Sequence, residues 1–256
     1  MAVLLRTRRR IRRIRKAHKA VRRQVTADKR LRISTWRQIE ALVSLYRLLD
    51  GKVDLPPTRF GPVSPDFLLH VIAFIRRHEP RIIVECGSGT STIVLAHLLK
   101  SLGIDSHIYA IENFAPSIDT VRQHLRQHNL ERFVTIIAVP LVEKRYDGFE
   151  TAFRWYDLDS NSIPAQIDLL IVDGPQGMVN RYARYPAGPE LLPKLSRNAH
   201  VFIDDANRPD EKTMVRLWQE SRPELGLRTL AAEKGCSELF FLDEAKPAAE
   251  WISVRA

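Results

Sequence analysis

Five carboxylates, Glu85, Glu112, Asp173, Asp204 and Asp205, stand where an apolar run gives way to a turn. Gly87 and Gly89 follow Glu85 at once, and Thr90, Ser91 and Thr92 then open a helical pattern. Glycines let a ligand reach the backbone, and the free amides of a helix start face it. A carboxylate beside such a turn repels a pyrophosphate and suits a ligand that brings an ammonium group and hydroxyls. Glu112 lies 23 residues past Gly89, where a carboxylate can accept both hydroxyls of a ribose. The three aspartates stand where a general base for a reacting group would sit.

The elements that must position these residues are legible in order. Ile82-Ile83-Val84 is a β-branched run that suits a strand buried on both faces. A helix over 66–78 precedes it, opened by Ser64-Pro65. A helix over 93–99 follows it, then a strand over 107–111, a helix over 116–128 and a strand over 133–138. A fourth strand spans 167–172 and runs into Asp173-Gly174-Pro175. A short helix near 190–195 leads to a fifth strand, 199–203, which ends at Asp204-Asp205. A helix over 209–220 and strands at 227–231 and 238–242 close the order. Residues 140–166 form a long polar stretch holding Trp155 and Tyr156, placed to cover the site. Alternating strands and helices give an α/β fold, a doubly wound, Rossmann-like parallel sheet. The short link 233–236 makes the last of its seven strands antiparallel. In such a sheet ligands sit outside the carboxyl ends of the strands, where all five carboxylates fall.

Charge divides the chain in two. The net charge is +10, yet residues 1–32 hold fourteen Arg or Lys against one Asp, so the rest is slightly acidic. Leu4, Ile11, His18 and Val25 recur every seven residues, with Ile14 and Val21 between them, which predicts a basic amphipathic helix over 4–25. A second helix is expected over 36–49, stopped by Gly51. The extension, residues 1–54, would then precede a folded domain of residues 55–256, joined by the proline-rich connector 55–65. Its open partners are an anionic membrane surface, a nucleic acid, or a helix of a second copy in a homo-oligomer. No aromatic residue interleaves the arginines of residues 1–32, which disfavours base stacking. Cys86 and Cys236 read as reduced core thiols, so the expected setting is cytoplasmic, at most peripheral to a membrane. His70, His97, His124 and His128 fall on helical stretches and read as surface or packing residues. Arg181, Tyr182, Arg184 and Tyr185, with Asn207-Arg208, are placed to hold an acidic or sugar substrate.

The run Glu85-Cys86-Gly87-Ser88-Gly89-Thr90-Ser91 resembles motif I of class I S-adenosylmethionine-dependent methyltransferases, and Glu112 matches the acidic residue closing their second strand. The resemblance spans roughly residues 64–242. Ser91 stands at the family's third glycine position, and Thr92 stands where a dinucleotide-binding pattern needs glycine. The resemblance implies that Glu85, Gly87, Ser88, Gly89, Thr90 and Ser91 hold the methionine part of the cofactor. It assigns the ribose to Glu112, with Asn113 and Asp173 completing the cofactor-binding set. The Val-Asp173-Gly and Ile-Asp204-Asp205 strand ends are similar to those of metal-dependent small-molecule and sugar O-methyltransferases. That similarity implies Asp173, Asp204 and Asp205 as ligands of Mg²⁺, with Asp173 and Asp204 catalytic. Asp173-Gly-Pro-Gln also stands in the region where amino-group methyltransferases carry (Asp/Asn)-Pro-Pro-aromatic, which disfavours amine acceptors. The expectation is methyl transfer to oxygen of a small molecule or glycan. The alternative is an RNA-associated methyltransferase, or a cofactor-binding protein, with a phosphate-binding tail.

Overall fold

A computed structural model describes residues 2–49, 53–59, 61–159 and 161–242, with backbone alone for residues 2–14. Helix α1 runs unbroken over Ala2–Leu48. It joins the two helices expected over 4–25 and 36–49, because no Gly or Pro interrupts residues 2–48. The side chains of Leu4, Ile11 and Ile14, and the Gly51 stop, lie outside the described residues. Residues 15–33 are exposed. From Ser34 onward one face docks. Ser34 Oγ donates to Glu233 Oε1 at 3.0 Å, and Gln38 Nε2 donates to Asp66 Oδ2 at 2.6 Å. Leu45 and Leu49 enter the main apolar core, so the last turns of α1 are part of the domain. At 100° per residue the opposite stripe is Val21, Val25, Trp36, Ile39 and Val43, each 45–66% exposed.

Helix α2 (Pro65–His78) leads to β1 (Ile82–Cys86), α3 (Thr90–Leu102), β2 (His107–Glu112), α4 (Ala115–His128) and β3 (Val134–Ala138). Then come β4 (Leu141–Lys144), β5 (Phe153–Tyr156), β6 (Ile167–Val172), α5 (Ala187–Leu191), β7 (Leu195–Asp204), α6 (Pro209–Ser221), β8 (Leu225–Leu230) and β9 (Cys236–Phe241). The main sheet has seven strands in the order β3-β2-β1-β6-β7-β9-β8. Its pairings from β3 to β7 are parallel, and β9 runs antiparallel to both β7 and β8. The last hairpin therefore folds back so that the final strand enters between its predecessor and β7.

Alternation along the strands sorts the core into two faces. Ile83, Leu169 and Ile171 pack with α2, α3 and α4. Val84, Leu170, Val172, Val201 and Ile203 pack with α5, α6 and the β4–β5 pair. Residues 140–166, expected as a long polar stretch, hold the antiparallel pair β4–β5 instead. Trp155 and Tyr156 anchor it, both fully buried. Cys86 and Cys236 are free and buried, as their apolar settings predict. Among the described residues no helix is long and apolar enough to cross a membrane.

Candidate functional site

A cavity of about 590 Å³ opens at the carboxyl ends of β1, β2 and β6, bordered by the starts of α3 and α4. The chain ends are tied together there. Gly87 N–H donates to Ile111 O at 2.8 Å, and Asp173 N–H donates to Cys86 O at 3.1 Å. Gly87 takes φ +97°, a left-handed conformation that favours glycine. A Cβ on Gly174 would lie 2.8 Å from Gly87 N, so the β1 and β6 turns touch and only glycine fits at 174.

Glu85 is 1% exposed. Its Oε2 accepts from Thr92 Oγ1 at 2.6 Å, and Thr92 Oγ1 in turn accepts from Gly89 N–H at 3.1 Å. This chain fixes the glycine turn against the first turn of α3. The other oxygen, Oε1, is buried without a hydrogen-bond partner, and Glu85 lines the cavity. Burial pushes the Glu85 carboxyl up to about 7, against the pull of Ser91 and Thr92 hydrogen bonds.

Glu112 closes the second side. Its Oε2 accepts from Ser88 N–H at 2.8 Å and Ser88 Oγ at 3.3 Å. Its Oε1 accepts from the Asn113 and Phe114 amides, each at 2.8 Å. The carboxylate thus clamps the β1 turn to the β2 end before any ligand arrives. Ser117 Oγ donates to Ser88 O at 2.6 Å and adds α4 to the clamp. Thr90 Oγ1 donates to Pro57 O at 3.0 Å, which brings the connector in as a further wall. Glu85, Gly87, Ser88, Gly89, Thr90, Ser91, Glu112, Asn113 and Asp173 all line this one cavity.

Tyr156, expected only within a stretch covering the site, is a residue of the cavity lining itself. It sits at the end of β5, fully buried, with its Oη unpartnered. Burial raises its hydroxyl well above the usual range, so it stays a neutral donor. The signal available was an aromatic pair in an otherwise polar stretch, which fixes burial but not address.

The aspartates form a different kind of cluster. Ligand atoms of Asp173, Asp204 and Asp205 converge within 4.8 Å, the grouping the strand-end pattern predicts. Cations are already among them. Arg184, 4% exposed, donates from Nη2 to Asp173 Oδ1 at 3.0 Å and to Asp205 Oδ2 at 2.9 Å. Lys234 Nζ lies 2.5 Å from Asp204 Oδ2 and 3.4 Å from Asp205 Oδ1. Arg208 adds a third cation, 2.9 Å from Asp205 Oδ2. A Mg²⁺ ion needs near-octahedral oxygen donors and bound water. Here the same oxygens are claimed by a buried guanidinium and ammonium, so the residues as arranged do not fit that ion. Asp204 is fully buried and is not among the residues lining this cavity. Asp173 alone reaches the cavity, its side chain 19% exposed. Burial raises its carboxyl despite Arg184. Arg184, expected in a substrate-holding loop, is instead the buried counter-ion of this cluster.

An open parallel sheet with one reversed strand, and a cavity of glycines and two carboxylates at its centre, defines a nucleoside-cofactor methyltransferase architecture. Residues 84–206 match a family model described as a methyltransferase domain. Over that stretch the chain is a methyltransferase domain, and its seven-stranded sheet with one reversed strand is the class I methyltransferase fold. Its fold is similar to that of the S-adenosylhomocysteine-bound methyltransferase PaMTH1 of Podospora anserina, at 16% identity and TM-score 0.55, covering 85% of this chain and 96% of that one. The O-methyltransferase of Bacillus cereus, solved with S-adenosylhomocysteine, is 17% identical with TM-score 0.52 over 80% of this chain and 91% of that one. TomG of Streptomyces achromogenes, an O-methyltransferase of tomaymycin synthesis solved with S-adenosylmethionine, is 17% identical with TM-score 0.50, covering 82% and 96%. No curated protein matches the chain in sequence.

Proposed function

We propose that the cavity holds S-adenosylmethionine and that its methyl group passes to a hydroxyl oxygen of a small molecule or glycan. The observation that carries this reading is that Glu85 and Tyr156, whose Oε1 and Oη are buried without a hydrogen-bond partner, both belong to the lining of one cavity. A buried polar atom without a partner is costly, and a ligand with complementary groups relieves that cost. The cofactor's ammonium group suits Glu85, and its ribose hydroxyls suit Glu112. Two proteins of similar fold, TomG and the Bacillus cereus enzyme, are O-methyltransferases, which supports oxygen as the acceptor. In the step, an acceptor oxygen forms a bond to the methyl carbon as the carbon–sulfur bond breaks. S-adenosylhomocysteine leaves, and the hydroxyl proton goes to Asp173. Catalysis is then mainly alignment of acceptor and sulfonium in a site that keeps water out. Asp204 and Asp205 hold Arg184 in place and take no proton. The test is calorimetry with S-adenosylhomocysteine on wild type, Glu85→Gln and Tyr156→Phe, paired with labelled methyl transfer to a panel of hydroxylated acceptors. Micromolar binding lost in Glu85→Gln supports the reading. Equal affinity in all three proteins overturns it.

We also infer that α1 attaches the domain to an anionic lipid surface in the cytoplasm. The exposed stripe of Val21, Val25, Trp36, Ile39 and Val43 lies opposite the docked face, and fourteen cations accompany it in residues 1–32. Each Lys or Arg near such a surface contributes roughly 1 kcal/mol. Cosedimentation with phosphatidylserine vesicles, lost on deleting residues 2–32, is the expected result. Binding to RNA at low salt without vesicle binding would overturn the lipid reading, as would a stable dimer that buries the stripe.

A further inference from the structure

Three histidines that the sequence scatters meet on the outer side of the α3–α4 pair. His124 and His128 lie one turn apart on α4, at i and i+4, and their rings stack with centroids 4.2 Å apart. His97 of α3 faces them, with ring centroids 5.3 Å from His124 and 4.9 Å from His128. Its Nε2 stands 3.0 Å from Nε2 of His124. One nitrogen from each ring can be chosen so that all three lie within 4.8 Å of one another. His97 is buried and the other two are half-exposed, so the group is anchored on one side and open to solvent on the other. None of the three lines the cofactor cavity.

We propose that His97, His124 and His128 form a binding site for a borderline transition-metal ion of the Zn²⁺ class. Neutral imidazoles are the usual nitrogen ligands of such ions, bound at roughly 2.0–2.1 Å. Four-coordinate geometry at that radius separates ligand nitrogens by roughly 3.3 Å, so the stacked His124 and His128 rings must turn about their side-chain bonds before three lone pairs converge. Water completes the fourth position from the solvent side. The neighbouring charges are Lys100 on α3, whose Nζ donates to His128 O at 2.7 Å, and Asp54 of the connector, whose charge favours a protonated His124 that an ion would have to displace. The site differs in chemistry from the aspartate cluster. Its donors are neutral nitrogens with no cation placed between them, whereas the aspartate oxygens are held by Arg184 and Lys234. Binding would pin the distal halves of α3 and α4, whose starts border the cavity.

The experiment uses the full chain with its affinity tag removed. Zn²⁺ is titrated by calorimetry and Co²⁺ by visible absorption. The expected result is one ion per chain, intense four-coordinate Co²⁺ bands displaced by Zn²⁺, and a higher melting temperature. His128→Gln, at a half-exposed ligand, should weaken binding by more than the roughly 10–100-fold that losing an outer-shell partner costs. His70→Gln, on α2, should bind as wild type. Equal affinity in wild type and His128→Gln, or faint six-coordinate Co²⁺ bands unaffected by either variant, would leave a packed histidine cluster only and overturn the site.

Discussion

The two carboxylate groups at the strand ends share an address and differ in their company. Glu85 and Glu112, on β1 and β2, are bonded by amides and hydroxyls, which carry no charge. One oxygen of Glu85, a residue of the cavity lining, is buried without a partner. Asp173, Asp204 and Asp205, on the β6 and β7 side, are met by Arg184 and Lys234. The first pair has its charge still to be matched by a ligand. The second set has been matched by the protein itself, and of its three members Asp173 alone still lines the cavity. Position at a strand end therefore nominates a carboxylate, and its neighbours decide whether a ligand can use it.

The sharpest way to break this comparison is to remove the internal cation. Arg184→Met leaves Asp173 and Asp205 facing each other in a buried site, and should cost about 3–5 kcal/mol of stability by denaturant unfolding. A loss below 1 kcal/mol would mean that the aspartates are not held by Arg184. If folded variant is recovered, adding Mg²⁺ should restore part of its stability, an effect absent from wild type.

Next in size is Glu85→Gln. It removes the charge offered to an ammonium group, and S-adenosylhomocysteine affinity should fall about tenfold to a hundredfold. Asp204→Asn, off the cavity, should leave that affinity within about twofold, because its charge is paired away from the ligand. Equal losses in both variants would erase the distinction between the two groups.

The pH response comes third. The Glu85 carboxyl is raised in the folded state from an ordinary 4.5 to about 7. Its proton therefore stabilises the ligand-free fold below about pH 4.5, and that contribution is lost as pH rises through about 7. Cofactor binding runs the other way, since the ammonium prefers the carboxylate. Affinity should decline by up to about tenfold per pH unit below pH 7, and Glu85→Gln should flatten both trends. The smallest expected effect is that of chelation. Methyl transfer should change by less than about twofold on adding EDTA, because Arg184 and Lys234 already balance the aspartates. A loss above tenfold, restored by Mg²⁺, would return the cluster to metal chemistry.

Much of this was readable from local pattern. The buried run before Gly87, the carboxylate at 112 and the reversed last strand each follow from residue types within a dozen positions. What escaped depended on contacts across the fold. Arg184 looked like a loop residue because its partners lie 11 and 21 positions away. Tyr156 sat in a polar stretch whose pairing of β4 with β5 only the folded chain reveals. His124 and His128 were visible as a spaced pair, but His97 joins them across a helix interface. The single helix α1 was split in reading because its apolar seam fades near Asp28, although nothing there breaks a helix.

Pro56 and Pro57 form part of the cavity wall, and they belong to the segment that leads down from α1. Trimming the chain at its first tidy helix boundary, Pro65, would spare every strand of the sheet. It would also take away one side of the chamber, the Thr90 anchor on Pro57, and the Arg59 pairing with Glu233 beyond it. Such a shortened protein would also lose Leu45, Leu49 and Val63 from the core, so the segment before Pro65 is masonry for the chamber and for the domain behind it.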